Sequence, residues 1–307
     1  MNRKDFLKRT LKTTLGTGFL VSTPVLGNVF GKENKDKTVN SVTASDTILG
    51  FNHLPNSSTQ SSMANTVFHK ANTRGMADHG WLKSAHSFSF ASYYNPKRMN
   101  FGVLRVLNDD IIAGGSGFGT HPHDNMEIIS IPIENGLRHK DSMGNTSFIG
   151  KNEIQVMSAG TGVQHSEVND TQDTTKFLQI WVIPNKRNVE PRYDQITLNP
   201  ADRKNKLQQI LSPNADDAGV WIHQNAWFHL GSLQTGTKID YDLKDATKNG
   251  VYVFVLKGTV NLKNNNETQE SIQQLDTKDG FGIWDAKSFE LEASQDAEVL
   301  LMEVPMS

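Results

Sequence analysis

Cysteine is absent from this chain of 307 residues, and its absence excludes several kinds of site. Without thiols there can be no disulfide, no thiolate metal ligand, no cysteine nucleophile and no lipid anchor on an N-terminal cysteine. A strong net charge is also lacking, because the formal value is −2. Nothing in the overall charge indicates a nucleic-acid partner, and we expect none.

Long apolar runs with helical periodicity are scarce, whereas glycine is frequent, with 24 residues. The apolar or alternating segments are short enough to be strands, and turn-favouring sequences separate them. We therefore predict an all-β fold of two barrels with few short helices. The strand candidates are 101–107, 127–133, 154–157, 177–183, 221–222, 227–230, 251–256, 260–262, 281–284 and 299–304. The turn candidates are 108–110, 135–136, 144–145, 257–259 and 278–280.

The predicted organisation has five parts, and the length suffices for two domains with sizeable cores. Residues 1–31 are interpreted as an export signal, and the polar stretch 32–65 as a flexible linker. A first barrel domain follows over 66–185, a connection over 186–205, and a second barrel domain over 206–307. Because two barrels in one chain can bury their faces against each other, we expect a monomer.

The N-terminal segment has the features of a cleavable signal. Residues 1–37 contain eight Lys/Arg and three Asp/Glu, and a mildly apolar stretch runs from Leu15 to Phe30 before small residues. Sixteen weakly hydrophobic residues are too few for a stable membrane anchor. The run Arg3-Lys4-Asp5-Phe6-Leu7-Lys8 resembles a twin-arginine motif with lysine in place of the second arginine. We predict an exported, periplasmic protein; the competing interpretation is an amphipathic or disordered tail.

Two short segments carry side chains that can ligate a metal. Residues i and i+2 of a strand face the same side, so His121 and His123 form one pair and His165 and Glu167 another. Glu127 shares this parity if its strand is regular. Between His123 and His165 there is room for two or three antiparallel strands, so the pairs can meet in one barrel. Three imidazoles and a carboxylate suit Fe, Mn, Ni, Cu or Co, and four ligands leave two positions open on a six-coordinate ion. A His-x-His pair by itself also fits a polar surface strand.

These segments resemble the paired motifs of cupins: His-x-His-x-x-x-Glu from His121 to Glu127, then Gly-x-x-x-x-His-x-x-x-Asn from Gly160 to Asn169. The stretch 81–191 closely resembles the pirin family of quercetinase-like bicupins. The resemblance implies a tandem cupin fold, two jelly-roll barrels packed together, with one metal in the N-terminal barrel. The matching segments are 87–90, 101–106, 117–123, 126–130, 139–142, 158–167 and 177–184.

Carried over residue by residue, the resemblance implies the metal ligands His121, His123, His165 and Glu167, with Glu167 also the catalytic proton acceptor. It makes Glu127 a neighbour of the ligands or a pocket wall. The expected cofactor is one divalent transition metal, Fe(II) before Mn, Ni, Co, Cu or Zn. Apolar pocket residues predicted from parity and proximity are Phe88, Phe90, Met126 and Met157.

The second half carries no comparable motif, and we predict a metal-free second barrel. His223 and His229 lie among aromatic residues and are interpreted as packed side chains. His86 is interpreted as structural, with a place near the pocket mouth as the alternative, and His139 as a structural residue that orders a loop. The run Gly114–Gly119 lacks the Gly-Lys-Ser/Thr ending of a phosphate loop and leads into a strand, so nucleotide binding is not expected.

The resemblance implies a metal-dependent dioxygenase similar to quercetin 2,3-dioxygenase, with a small aromatic enol and O2 as partners. A second hypothesis is a non-catalytic, metal-binding or redox-responsive pirin-like protein that acts through protein partners. A third is another cupin chemistry on the same ligands, since a fold does not fix a reaction. The body from residue 38 onward holds 23 basic and 30 acidic residues, which disfavours a role on DNA.

Overall fold

The computed structural model describes residues 64–264 and 272–307, which are almost entirely β-structure. The described residues form 22 strands and two short 3₁₀ helices, Ala71–Thr73 and Pro200–Arg203. The predicted all-β class with few short helices is therefore confirmed. The predicted export signal, 1–31, and the predicted linker as far as residue 63 lie outside the described residues. Among the described residues, no helix has the length and apolarity to cross a membrane.

Strands of the first half form a sheet of seven strands and a sheet of four. In spatial order the larger sheet contains β12 (Arg192–Thr197), β9 (Glu153–Ser158), β6 (Glu127–Glu134), β11 (Thr175–Val182), β4 (Leu104–Ile112), β3 (Leu82–His86) and β2 (Gly75–Asp78). The smaller sheet contains β5 (Ser116–His123), β10 (Val163–Asn169), β7 (Gly136–Asp141) and β8 (Thr146–Gly150).

The second half repeats this arrangement of seven and four strands, which is the tandem cupin fold. Its larger sheet contains β1 (Asn65–His69), β20 (Gly280–Trp284), β17 (Asn249–Lys257), β22 (Ala297–Pro305), β15 (Trp227–Leu233), β13 (Leu207–Ser212) and β14 (Val220–Trp221). Its smaller sheet contains β16 (Lys238–Asp242), β21 (Ser288–Ala293), β18 (Thr259–Asn264) and β19 (Ile272–Asp276).

Two strands pair in ways that the predicted domain boundaries do not indicate. β1, at the start of the predicted first domain, pairs antiparallel with β20 of the second half. β12, within the predicted connection 186–205, pairs with β9 at the edge of the first half's larger sheet. The predicted boundaries follow polar stretches of the sequence. The sheet that a strand joins is decided instead by the backbone hydrogen bonds that it forms with neighbouring strands. His69 Nδ1, on β1, lies 2.9 Å from Tyr252 Oη, and this hydrogen bond helps to hold β1 in place.

The largest apolar core is shared by the two halves. It joins Phe88 and Ile180 of the first half to Phe228, Tyr252 and Leu300 of the second. A second core, which includes Val253 and Leu301, fills the second barrel. In the first barrel the apolar clusters are small, and buried polar side chains occupy much of the interior. The candidate site lies in this polar interior.

The predicted turn at 108–110 is wrong, because β4 runs through it to Ile112. Its two acidic residues have partners on neighbouring parts of the fold: Arg74 forms an ion pair with Asp109 at 3.2 Å, and Ser84 Oγ donates to Asp110. Tertiary contacts thus satisfy polar groups that locally favour a turn. The predicted turns at 135–136, 144–145, 257–259 and 278–280 are confirmed.

Candidate metal centre

Three histidines converge in the barrel of the first half. β5 and β10 pair antiparallel, with His121 directly opposite His165 and His123 opposite Val163. One ring nitrogen each of His121, His123 and His165 lies within 4.8 Å of the other two. The ring centroids are 4.5 to 5.0 Å apart. Nitrogens that are each about 2.1 Å from one transition metal ion lie at most about 4.2 Å apart, so a small movement of the rings would let all three bind one ion.

The donor atoms of this histidine cluster fit a metal ion. His165 is 1% exposed, and neither of its ring nitrogens has a hydrogen-bond partner. A buried polar group without a partner is costly, and coordination of an ion would remove that cost. Burial, with a contribution from His121, lowers the pKa of His123 to about 3, and burial lowers the pKa of His165 well below its usual value. Both rings are therefore neutral near pH 7, which is the form that ligates metals.

His121 is oriented by the backbone of its own strand. Its Nδ1 lies 2.8 Å from the carbonyl oxygen of Gly119, so Nδ1–H is assigned as the donor of this hydrogen bond. Such a hydrogen bond is common behind ligating histidines, because it fixes the tautomer and the ring plane. His121 and His123 are half-buried, whereas His165 is buried. One side of the cluster is thus accessible.

Glu167 lies two residues after His165 and also faces the barrel interior, but it is not in the group of close donor atoms. Its Oε1 accepts a hydrogen bond from Ser130 Oγ at 2.7 Å, and its Oε2 accepts one from Gln179 Nε2 at 2.6 Å. Both donors belong to the larger sheet of the first half, on the opposite side of the barrel. The structure therefore brings together three of the four predicted ligands, and ligation by Glu167 stays a prediction.

Glu127, the other carboxylate considered, is buried and also lies outside the histidine group. Ser158 Oγ donates to its Oε2 at 2.6 Å. Burial raises the pKa of Glu127, against the opposing effects of Ser158 and the nearby positive charge of Arg192. These contacts give Glu127 a set of partners separate from the metal centre.

Three of the predicted pocket residues connect to the site through Trp181. Its indole lies 5.0 Å from the ring of His123, and Phe90 makes an edge contact with the indole at 5.4 Å. Met126 and Trp181 both pack against a small buried apolar cluster that includes Met157. Together these side chains form an apolar wall beside His123.

Phe88 lies elsewhere, in the core shared by the two halves, where its ring contacts His69 and Tyr252. Strand parity predicts that Phe88 and Phe90 lie on one face. β3 ends at His86, and beyond it the backbone is irregular, so the alternation of faces is lost.

Sequence reasoning did not identify Ser130, Gln179 or Trp181 as neighbours of the site. Ser130 and Gln179 are isolated polar residues in otherwise apolar strands, which is a usable signal for a buried hydrogen bond.

His139, predicted to be structural, has Nε2 3.0 Å from Asp141 Oδ2 and its ring 5.4 Å from that of His165.

The other histidines lie in packed surroundings. The ring of His86 contacts Phe90, and burial lowers the pKa of His86 to about 4. In the second half, His223 contacts Trp221 and His229 contacts Tyr241. Among residues 64–264 and 272–307, the histidines on β5 and β10 form the only group of three or more close metal-ligating side chains.

The fold and the histidine cluster define a class of protein, the tandem cupin with a candidate metal centre in its first barrel. Two family models match the sequence: Pirin over residues 67–182, and the quercetinase C-terminal cupin domain over residues 209–304. The chain is 40% identical over 237 residues to a quercetin 2,3-dioxygenase of Escherichia coli K12, covering 77% of this chain and 97% of the relative. It is 38% identical over 231 residues to a pirin-like protein of Caulobacter vibrioides, with coverages of 75% and 95%. The chain belongs to the pirin family.

Solved structures agree with this assignment. The chain matches YhhW of Escherichia coli with a TM-score of 0.72 and 38% identity, covering 79% of this chain and 99% of YhhW. A second structure of YhhW, described as a bacterial pirin, is a complex with nickel(II). A quercetin 2,3-dioxygenase of Acinetobacter baumannii matches with a TM-score of 0.60 and 20% identity over 80% of this chain and 88% of that one, which shows a shared fold.

Proposed function

We propose that this protein is a metal-dependent dioxygenase that opens a flavonol-like aromatic enol with O2. The observation that carries the proposal is the convergence of His121, His123 and His165, with the nitrogens of His165 buried and without hydrogen-bond partners. Relatives named quercetin 2,3-dioxygenase at about 40% identity support the reaction class.

In this proposal the three histidines and Glu167 hold one divalent ion, and Fe(II) is the physiological metal. Mn, Ni, Co, Cu and Zn are the alternatives, since imidazole and carboxylate accept all of them. The nickel complex of YhhW belongs to that relative, and it supports a transition metal at this type of site. Elemental analysis of protein purified from its native compartment identifies the metal; a preparation rich in another metal and poor in iron would reject Fe(II).

When bound, the ion supplies Lewis acidity that lowers the pKa of an enol oxygen. Glu167 is a buried carboxylate that faces the barrel interior, and its role is to accept the proton that the enol releases. Trp181, beside His123, has a buried indole N–H without a partner and offers it to a substrate oxygen. Phe90, Met126 and Met157 extend this wall and exclude water from the reacting atoms.

The test is oxygen consumption with quercetin as substrate, after anaerobic reconstitution of the full chain with Fe(II). His121→Ala and Glu167→Ala are expected to lose about 10²-fold or more in turnover while circular dichroism stays unchanged. His223→Ala, a histidine of the second half, is the control and keeps wild-type turnover. Full turnover by thoroughly metal-stripped protein refutes the proposal.

We also propose that the protein is exported to the periplasm, on the basis of the basic and then apolar sequence of residues 1–31. Cell fractionation followed by N-terminal sequencing tests this directly. A shortened chain in the periplasmic fraction is expected, and an intact Met1 confined to the cytoplasm would reject export.

A further inference from the structure

A row of polar side chains crosses the inner face of the larger sheet of the first half. Ser130 on β6 lies directly opposite Gln179 on β11. The row continues to Gln155 on β9 at one side, and to Asn108 on β4 and His86 on β3 at the other. All five side chains are buried. Since each pair of neighbours is in register, the five lie at one level of the barrel.

Glu167 reaches across the barrel to the middle of this polar row. Ser130 and Gln179 each donate to a different carboxylate oxygen, at 2.7 and 2.6 Å, and all three side chains are buried. Short hydrogen bonds to a buried carboxylate are the strong kind, roughly twice the strength of neutral ones. The other three members of the row each have at least one buried polar atom without a hydrogen-bond partner: His86 Nδ1, Asn108 Oδ1, and both amide atoms of Gln155. The two central residues are thus distinguished by their contact with Glu167.

We propose that Ser130 and Gln179 act as a carboxylate clamp, a pair of positioning residues that holds Glu167 ready to ligate the metal ion. This inference rests on the proposed function in taking Glu167 as a ligand. A carboxylate offers about four lone-pair directions, and the clamp uses one on each oxygen. The remaining directions stay available to an ion, while rotation of the side chain is restricted. Groups that orient a ligand in this way typically account for 10- to 100-fold in metal affinity.

The clamp predicts a specific pattern of nickel affinities. Ni(II) is the probe, and its affinity is measured by competition with a chelator for the full chain. Ser130→Ala and Gln179→Leu are each expected to weaken Ni(II) binding about tenfold. In the Glu167→Gln background the same substitutions are expected to have no further effect, because the clamp acts only through the carboxylate.

The chain supplies two matched controls. Ser158→Ala removes a buried serine hydrogen bond of 2.6 Å to a different carboxylate, that of Glu127. Gln155→Leu removes a buried amide from the same row that has no partner. Both are expected to keep Ni(II) affinity within about twofold of wild type, well short of the loss expected when a group orienting a metal ligand is removed.

The absorption spectrum of the Co(II)-substituted protein provides a second readout, because its d–d bands respond to the ligand field. Ser130→Ala is expected to shift these bands in the wild-type background and to leave them unchanged in Glu167→Gln.

Three results would overturn the clamp. An equal loss of affinity from Ser130→Ala in both backgrounds would show that the serine acts on the barrel in general. If Ser130→Ala and Gln179→Leu keep wild-type affinity while Glu167→Gln loses it, Glu167 is a ligand that does not depend on Ser130 and Gln179. Wild-type affinity in Glu167→Gln would remove Glu167 from the ligand set. Oxygen consumption is measured separately, so absent turnover with the predicted affinity pattern rejects the dioxygenase and leaves the clamp standing.

Discussion

The ring of His165 lies between a histidine of the candidate metal centre and a histidine of the neighbouring strand β7. Its ring lies 4.5 Å from that of His121 and 5.4 Å from that of His139, and its nitrogens have no hydrogen-bond partner. At this scale, the chemistry of the site follows in part from the imidazoles of His123 and His165, whose pKa values burial lowers. The pairing of β5 with β10 brings the three histidines together.

We expect His165→Ala to lower Ni(II) affinity by at least about 100-fold, more than the loss of an orienting group, because it removes one of three converging ligands. Chelator competition measures the change. His86→Ala is the control, since His86 is also buried and its Nδ1 also lacks a partner. Equal losses in both variants would contradict a specific role for His165.

His229 gives a prediction about pH. Burial lowers its pKa to about 4, with a smaller effect of Lys244 in the same direction and an opposite one of Asp217. Between pH 6.5 and 4 the unfolded chain therefore binds a proton at this position that the folded chain does not, so acid lowers the free energy of unfolding. His229→Gln removes this proton uptake. Relative to wild type, the variant is expected to gain at most about 1.4 kcal/mol per pH unit as the pH falls through this range.

Urea unfolding of wild type and His229→Gln at several pH values between 4.5 and 7 tests the linkage. A constant difference between the two unfolding free energies across the series would show that His229 does not titrate differently in the folded state.

At the scale of the elements, tight turns fix which strands of a barrel become neighbours. Gly258 joins β17 to β18 with φ +80°, and a Cβ there would lie 2.1 Å from the carbonyl oxygen of Asp296. Gly236, in the connection between β15 and β16, has a similar φ of +84°, but nothing lies within 4 Å of the corresponding Cβ position. Substitution of alanine at both positions would incur the cost of a left-handed backbone, but only the one at Gly258 would add a steric clash.

Gly258→Ala is expected to lower the free energy of unfolding by at least about 2 kcal/mol more than Gly236→Ala. Both variants share the cost of a positive φ, roughly 1 kcal/mol. Denaturant titrations at one pH measure the difference. Equal destabilisation would mean that the backbone at Gly258 moves aside without cost.

At the scale of the whole molecule, the two halves are joined by more than their connecting segment. β1 precedes the first half in the chain but pairs with β20 in the larger sheet of the second half. Lys278 of the second half also forms an ion pair with Asp109 of the first half, at 2.9 Å. The largest core contains side chains from both halves. The described residues, 64–264 and 272–307, accordingly belong to one compact unit.

We therefore expect one cooperative unfolding transition, with coincident midpoints by tryptophan fluorescence and far-ultraviolet circular dichroism. Phe228→Ala, in the shared core, should shift the whole transition and cost about 3–5 kcal/mol. Met76→Ala, at a side chain that is 72% exposed, is the control and should leave it in place. A biphasic curve in which Phe228→Ala moves only one phase would show that the halves unfold independently.

Local pattern was sufficient for much of the architecture and for part of the site. Short apolar segments separated by turn residues predicted the all-β class, and strand parity predicted that His121 and His123 face one side of their strand and that His165 and Glu167 face one side of theirs. Such inferences need only the two-residue repeat of a strand, which is written in neighbouring residues.

The amino-acid sequence by itself determined the absence of thiol chemistry, the tandem β-architecture and the histidines that can bind a metal. Only the tertiary structure decided that β1 joins the second half, that Asp109 and Asp110 lie in a strand, and that Glu167 contacts Ser130 and Gln179. Each of these depends on contacts between residues 12 to 220 positions apart in the chain, from Glu167 with Gln179 to Asn65 with Asp285. Strand register over such separations is set by the packing of whole sheets, which no local pattern encodes.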